Sequence, residues 1–212
     1  RKIANSLKQG SLRAIHIPRE ESEELRSLLK CRSSLVQEIT RFKNKIKSLL
    51  FQYGIEIPQN FNYGSKHFSN AYTIWLRSIR FQTSIGEFTL GSLISATLQL
   101  RQELLKINRE IRAVARSPKY RELIGQLTSI PGIGEYTALV FIAFIEDMKR
   151  FGSLDDLCSY VGLVPSTNSS GDNEKTGNIT MRSNKLLRGL IVESAWIAAR
   201  ADPALTMSYQ AL

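Results

Sequence analysis

Cysteine and histidine are scarce in this chain. Its 212 residues hold two cysteines, Cys31 and Cys158, and two histidines, His16 and His67, too few for a disulfide framework or a zinc cluster. The expectation is a reducing, cytoplasmic setting. Aspartate is also missing from most of the chain, the first being Asp147. A two-metal nuclease centre needs clustered carboxylates, and up to that point there are only scattered glutamates. No apolar run approaches the ~18 residues a membrane helix requires; the best stretch, Thr137 to Ile145, is far shorter. The opening Arg1-Lys2-Ile3-Ala4-Asn5 is polar and has no apolar signal core. The chain does not start with Met and Arg1 falls inside a helical pattern, so it reads as a segment of a longer protein.

What is present is positive charge. Lys and Arg number 29 against 19 Asp and Glu, a net +10, and such a surplus points to a polyanion, nucleic acid above all. Charged residues make up 23% and hydrophobic ones 42%, which excludes wholesale disorder.

The apolar periodicity is that of helices. Residues 1–10 read as the end of a helix closed by Gly10, and Ser11 to Pro18 as a short extended connector. Pro18 with Glu20, Glu21, Glu23 and Glu24 starts a helix, its acids near the positive end of the dipole. Leu25, Leu28, Leu35, Ile39, Phe42, Ile46, Leu49 and Tyr53 then alternate steps of three and four, with Arg32 as the polar interruption. A short helix is expected over Asn70 to Arg80. A second long one carries Leu90, Leu93, Thr97, Leu100, Leu104, Ile107, Ile111 and Val114. Both seams keep the 3.5-residue period of a coiled coil. They predict an antiparallel or dimerising arm, against the plainer alternative of two amphipathic helices in one bundle.

The expected fold class is therefore all-α, with three parts. Residues 1–18 form the tail of a preceding domain. Residues 19–117 form the coiled-coil arm, with helices about 19–54 and 87–116. Residues 118–212 form a small helical domain with a short hairpin-like loop. Residues 201–212 receive no role.

Ile130-Pro131-Gly132-Ile133-Gly134 between two helices is the pattern of a helix–hairpin–helix. Gly132 and Gly134 allow a tight turn, and the free N–H groups of the next helix make an anion pocket suited to a DNA phosphate. The alternative is a plain tight turn between packed helices. Ser153 reads as an N-cap with Asp155 and Asp156 in the first turn, compensating the dipole rather than holding a metal. Ser166-Thr-Asn-Ser169-Ser170-Gly171 reads as a hydroxyl-rich loop followed by a hairpin ending at Gly177. Arg182, Lys185 and Arg188 recur every three residues at the start of an amphipathic helix, so they are expected to share one face. A serine beside such a cationic face has the components of phosphoryl transfer, although serine loops and basic faces are more often plain surface.

These blocks, with Tyr160-Val-Gly162-Leu-Val-Pro165, Gly177-Asn-Ile179 and Leu187-Arg188, resemble the C-terminal transposase domain of a bacterial insertion-sequence family. The family includes the pilin-gene inverting recombinase and bridge-RNA-guided recombinases. The long helices resemble the coiled coil that joins this domain to an N-terminal RNase H-like DEDD domain. Residues 1–18 resemble the stretch that follows the last catalytic aspartate of that domain. The resemblance implies a DNA transposase or site-specific recombinase, and for a chain without the DEDD domain no activity by itself. It implies Ser170 as nucleophile, with Ser169 as the alternative and Ser166 nearby. It also implies phosphate binding by Arg182, Lys185 and Arg188, Mg2+ in the upstream domain and no metal in this chain. The implied partners are DNA, a guide RNA and further copies of the chain in a dimer or tetramer, with no membrane and a nucleoid-associated location. One departure is Ser183, where relatives commonly carry glycine. The rival reading is a non-catalytic, dimeric nucleic-acid-binding module.

Overall fold

The computed structural model describes residues 2–11, 15–61, 68–170 and 173–211, without the side chains of 168–170 and 173–175. Its elements are α1 (Lys2–Lys8), α2 (Glu20–Gln52), α3 (Asn70–Ser78), α4 (Ser84–Ala115), α5 (Pro118–Thr128), α6 (Glu135–Ile145), α7 (Leu154–Val161), β1 (Pro165–Ser170), β2 (Asn173–Ile179), α8 (Lys185–Ala201) and α9 (Pro203–Gln210). Among the described residues the two strands form one antiparallel sheet, and the remaining elements are helical, as the fold class anticipated. The chain divides into two compact units. The hairpin unit contains residues 1–27 and 120–212, and the long-helix unit contains residues 28–119.

In the long-helix unit, Ile46 and Leu50 near the end of α2 share a core with Leu90 and Ile94 near the start of α4. Toward the other end, Arg32 Nε donates to Asn108 Oδ1 at 2.9 Å. The two helices therefore run antiparallel within one chain. Phe68, Tyr72 and Leu76 complete the core, with Trp75 and Phe61 partly buried against it. Tyr72 packs between Phe61 and Phe68 at ring separations of 5.4 and 4.9 Å, the tilted and edge-on range that aromatic quadrupoles favour. Thr97 is buried in α4 and returns its hydroxyl to the Leu93 carbonyl at 2.8 Å, so no donor is orphaned.

The seams are wider than a strict 3.5 repeat. Leu29 and Leu50, outside the expected set, are 0% and 1% exposed, whereas Tyr53 is 56% exposed and lies beyond α2. The burial of α2 thus follows an ordinary amphipathic stripe.

The hairpin unit is organised around α6, whose Ala138, Leu139, Val140, Ala143, Phe144 and Ile145 are buried. Local signals start its helices. Ser153 accepts from the Asp156 N–H at 3.2 Å, and Asn184 accepts from Leu187 N–H at 3.1 Å. Asp202 caps α9 with Pro203 in its first turn.

Candidate strand-transfer site and nucleic-acid interface

The C-terminal end of α6 is tied down by cations. The last four carbonyls of a helix lack intrahelical partners, and here three receive side-chain donors. Arg26 Nε reaches Ala143 O at 2.8 Å and its terminal nitrogen reaches Phe144 O at 3.3 Å. The Tyr160 hydroxyl also donates to Phe144 O, at 2.9 Å, and Arg150 donates to Ile145 O at 3.4 Å. Arg26 is 6% exposed. It stacks over the Phe144 ring at 5.2 Å, pairs with Glu23 at 2.7 Å and lies 3.6 Å from the Glu146 carboxylate. Positive charge at this end also complements the helix dipole.

Glu146 caps α6 at φ 59°, an unusual backbone for a residue with a side chain. Its carboxylate meets His16 Nε2 and accepts from the Arg19 N–H at 3.2 Å. Burial would raise this carboxyl, but hydrogen bonds from His16, Ser22 and Arg19 and the Arg26 charge outweigh it and hold the group at about 2. The segment entering α2 is thereby fastened to the end of α6. Arg26 and Glu146 escaped the sequence reading because both resemble surface charges. The spacing of Arg26 three residues before the fully buried Leu29 was the available signal.

At the opposite end of α6 the two glycines of the expected hairpin have different surroundings. Gly132 has φ +88°, and a Cβ there would lie 2.3 Å from the Ser194 carbonyl oxygen and 3.2 Å from the Ala198 nitrogen. Its lack of a side chain lets the turn lie against the backbone of α8. Gly134 is the N-cap of α6, with no side-chain cap bond and open space where a Cβ would stand. Of the two, Gly134 is the one beside uncapped N–H groups.

The serine segment is a strand, not a loop. Pro165 pairs with Ile179 and Thr167 with Thr176, a register shift falling between them, and Ser170 closes the ladder opposite Asn173. The backbone of Ser169 and Ser170 is thus fixed by pairing with Glu174 and Asn173, while their side chains lie outside the described residues. Ser166 donates its hydroxyl to Asn178 O at 2.9 Å, a framework role.

The three expected cations also separate. α8 begins at Lys185, after its Asn184 cap. Arg182 therefore precedes the helix and shares no helical face with Lys185 and Arg188. Arg182 and Lys185 are exposed. One terminal nitrogen of Arg188 donates to Gly162 O at 3.1 Å and Thr180 O at 2.8 Å, tying the end of α7 to the exit of β2. Gly162, in the left-handed region at φ +88°, makes room for Ser183, whose Cβ would stand 2.1 Å from a Cβ at that position. The Ser183 hydroxyl is buried with no hydrogen-bond partner among the described residues.

Among the described residues no group of three or more His, Cys, Asp or Glu side chains lies close enough to hold a metal ion. No helix among them is long and apolar enough to cross a membrane.

Two family models match the chain. Residues 125–210 match the Transposase IS116/IS110/IS902 family, and residues 1–55 match a DEDD-type transposase model of IS110 elements, a class that implies a divalent metal. The chain is 30% identical to the transposase for insertion sequence element IS1111A of Coxiella burnetii, over 91% of its own length and 51% of that protein. It is 27% identical to the transposase for IS1328 of Yersinia enterocolitica, over 84% of this chain and 51% of the relative. It is 33% identical to an uncharacterized protein of insertion element IS110 from Streptomyces coelicolor, over 60% and 31% of the two. The chain thus spans about half the length of the curated relatives it matches. With one family segment at each end, in the order 1–55 then 125–210, the chain belongs to the IS110/IS116 family of transposases.

Proposed function

We propose that this chain is part of a recombinase that cuts and rejoins DNA strands through a serine at the end of β1. Ser170 is the nucleophile, with Ser169 as the alternative, and a guide RNA selects the DNA. The observation that carries the reading is the antiparallel pair of β1 and β2, inside the matched family segment, with Ser170 at the end of β1 and the exposed Arg182 and Lys185 after β2.

In the strand-transfer step the Ser170 Oγ attacks a backbone phosphorus. A P–O bond to one deoxyribose breaks, and that sugar oxygen leaves as a hydroxyl after taking a proton. The product is a phosphoserine diester that keeps the phosphoryl bond for rejoining, when a second strand's hydroxyl attacks and the serine recovers its proton. Arg182 and Lys185 stabilise the charge on the non-bridging oxygens. The N–H groups behind Gly134 hold an adjacent phosphate as a helix–hairpin–helix does. Arg188 acts by holding α7, β2 and α8 in register. On this reading the Mg2+ that the DEDD class implies belongs with the resolvase-like part of the parent protein.

The test uses the parent protein with its element's DNA and RNA. Wild type is expected to give a denaturation-resistant protein–DNA adduct that is lost in Ser170→Ala and kept in Ser169→Ala. Loss in Ser169→Ala alone moves the nucleophile by one residue. An adduct and strand exchange that survive both substitutions overturn the serine reading and leave a nucleic-acid-binding module.

A further inference from the structure

The positive charge of the chain is not spread over it. The long-helix unit, residues 28–119, carries 15 Lys and Arg against 5 Glu and no Asp, a net +10. The hairpin unit carries 14 of each sign and is neutral. The whole surplus therefore sits on the unit that holds none of the candidate serines or glycines.

Three of the five acids in the long-helix unit are already paired: Glu38 with Arg41, Glu87 with Arg80 and Glu103 with Lys106. Among the remaining cations, two groups stand out. Arg109 and Arg112 on α4 and Arg116, its C-cap in the right-handed helical region, are all exposed, and their spacing of three and four sets them along one side of the helix end. That stripe rises about 10 Å along the helix. On α2, Lys43 and Lys47 lie one turn apart, and the charge of Arg101 on α4 also acts on Lys43. Arg101 donates to the Phe68 carbonyl at 2.9 Å, and Lys43 sits over the Phe68 ring at 5.1 Å. Among the described residues, Lys43, Lys47, Arg109, Arg112 and Arg116 form no ion pair.

Like charges collected without counter-charges raise the energy of the fold, and a polyanion relieves it. The kind of polyanion follows from what accompanies the charge. Binding of single strands relies on aromatic side chains interleaved with the cations, so that bases can stack. From Thr89 to Lys119 there is no aromatic residue. The α4 stripe, which has no stacking platform, fits a closed duplex, whose phosphates are presented outward and whose bases are not; the Lys43–Lys47–Arg101 group, beside Phe68, joins it as a second set of cations on the same unit.

We propose that the long-helix unit is a sequence-independent clamp for the backbone of double-stranded DNA, with Arg109, Arg112 and Arg116 and the Lys43–Lys47–Arg101 group contacting phosphates. The choice of DNA over duplex RNA rests on the transposase reading; the duplex-backbone chemistry does not.

The experiment measures binding of the 212-residue chain to a random-sequence DNA duplex of about 30 base pairs across a salt series. Each phosphate contact contributes roughly 0.9 to the slope of log affinity against log salt. The triple variant Arg109→Gln/Arg112→Gln/Arg116→Gln is expected to lower the slope by about 2 to 3, and Lys43→Gln/Lys47→Gln by about 1 to 2. In a Trp196→Phe background, Trp75, partly buried against the core of this unit, reports by its fluorescence that each variant is folded. Slopes unchanged in both folded variants overturn the proposal, as does tighter binding of an RNA duplex of the same length. The two readings fail separately. A serine adduct with unchanged slopes removes only the clamp, and reduced slopes without an adduct remove only the serine.

Discussion

The two units divide the work differently from what their sequences suggest. The long-helix unit has no motif, yet it holds the entire net +10; the hairpin unit has every motif and balanced charge. Attraction to a polyanion is long-ranged and tolerant of position, so an exposed stripe on regular helices can supply it. Holding a reacting phosphate demands fixed geometry. The hairpin unit turns three of its arginines inward. Arg26, Arg150 and Arg188 all donate to backbone carbonyls, while Arg41, Arg80 and Lys106 of the other unit make only exposed ion pairs, a kind that contributes little.

That contrast is broken most severely at Arg26. In Arg26→Ala the Ala143 carbonyl loses its side-chain donor, the Phe144 carbonyl keeps only Tyr160, and the largely covered Glu146 carboxylate loses a cation. The expected cost to the hairpin unit is about 4 kcal/mol. Arg26→Lys recovers little of it, because an ammonium cannot fork between two carbonyls and a carboxylate. Each unit has one tryptophan, Trp75 in the long helices and Trp196 on α8. Urea unfolding of a Trp75→Phe background therefore reads the hairpin unit. A loss under 1 kcal/mol would show that the buried arginine is dispensable.

Next in size is the pair of hairpin glycines. Gly132→Ala forces a left-handed residue and a Cβ into contact with the α8 backbone, at a combined cost of about 3 kcal/mol. Gly134→Ala, with open space around it, costs about 1 kcal/mol or less through the cap alone. On the proposed function the order reverses for DNA. Gly134 variants that crowd the α6 N-terminus weaken binding at nearly full stability, whereas Gly132→Ala acts through folding. Equal stability losses at the two positions would contradict the packing assigned to Gly132.

The features legible in the sequence were those written locally. Ser153 announces its helix by a side-chain cap and Gly10 ends α1 at φ +64°, whereas the Asn184 cap of α8 went unread. The same rule was present but unread at Asp202-Pro203, which opens α9. The stretch Pro165–Ser170 reads as a loop because Pro, Asn and Ser favour turns and only Thr167 favours a strand; it is a strand through its pairing with 173–179. Contacts distant in sequence were not legible at all. Nothing near Gly132 announces Ser194, and nothing near Arg26 announces Ala143, 117 residues away. The candidate site was therefore read as a set of residues, and its scaffold was missed.

Acid separates the units more gently. The Glu146 carboxyl is held at about 2, below its ordinary 4.5. A depressed carboxylate stabilises the fold above its unfolded value, and that contribution is lost as the pH falls through the folded value. The hairpin unit is expected to weaken between about pH 4.5 and 2. Glu146→Gln should be less stable than wild type at pH 6 and should flatten the dependence in that window. The comparison is urea midpoints at the two ends of the window; a variant that tracks wild type throughout would show that Glu146 does not fasten the segment entering α2 to α6.

The smallest effect tests whether the charge surplus is a strain that the fold tolerates for binding. Burial, and then the charges of Arg101 and Lys47, hold the Lys43 ammonium below the usual lysine value. Screening should relieve the repulsion, because the Debye length falls from about 10 Å at 0.1 M salt to about 3 Å at 1 M. In a Trp196→Phe background, Trp75 should report a long-helix unit that gains on the order of 0.5 kcal/mol over that range. Lys43→Gln should gain less, having one fewer like charge to screen, and the neutral hairpin unit should stay nearly flat. The same substitution lowers the salt slope for DNA. A single lysine would then oppose folding and favour binding, the reverse of Arg26, which serves folding alone. If salt stabilises both units equally, the surplus causes no strain and the asymmetry between them is compositional only.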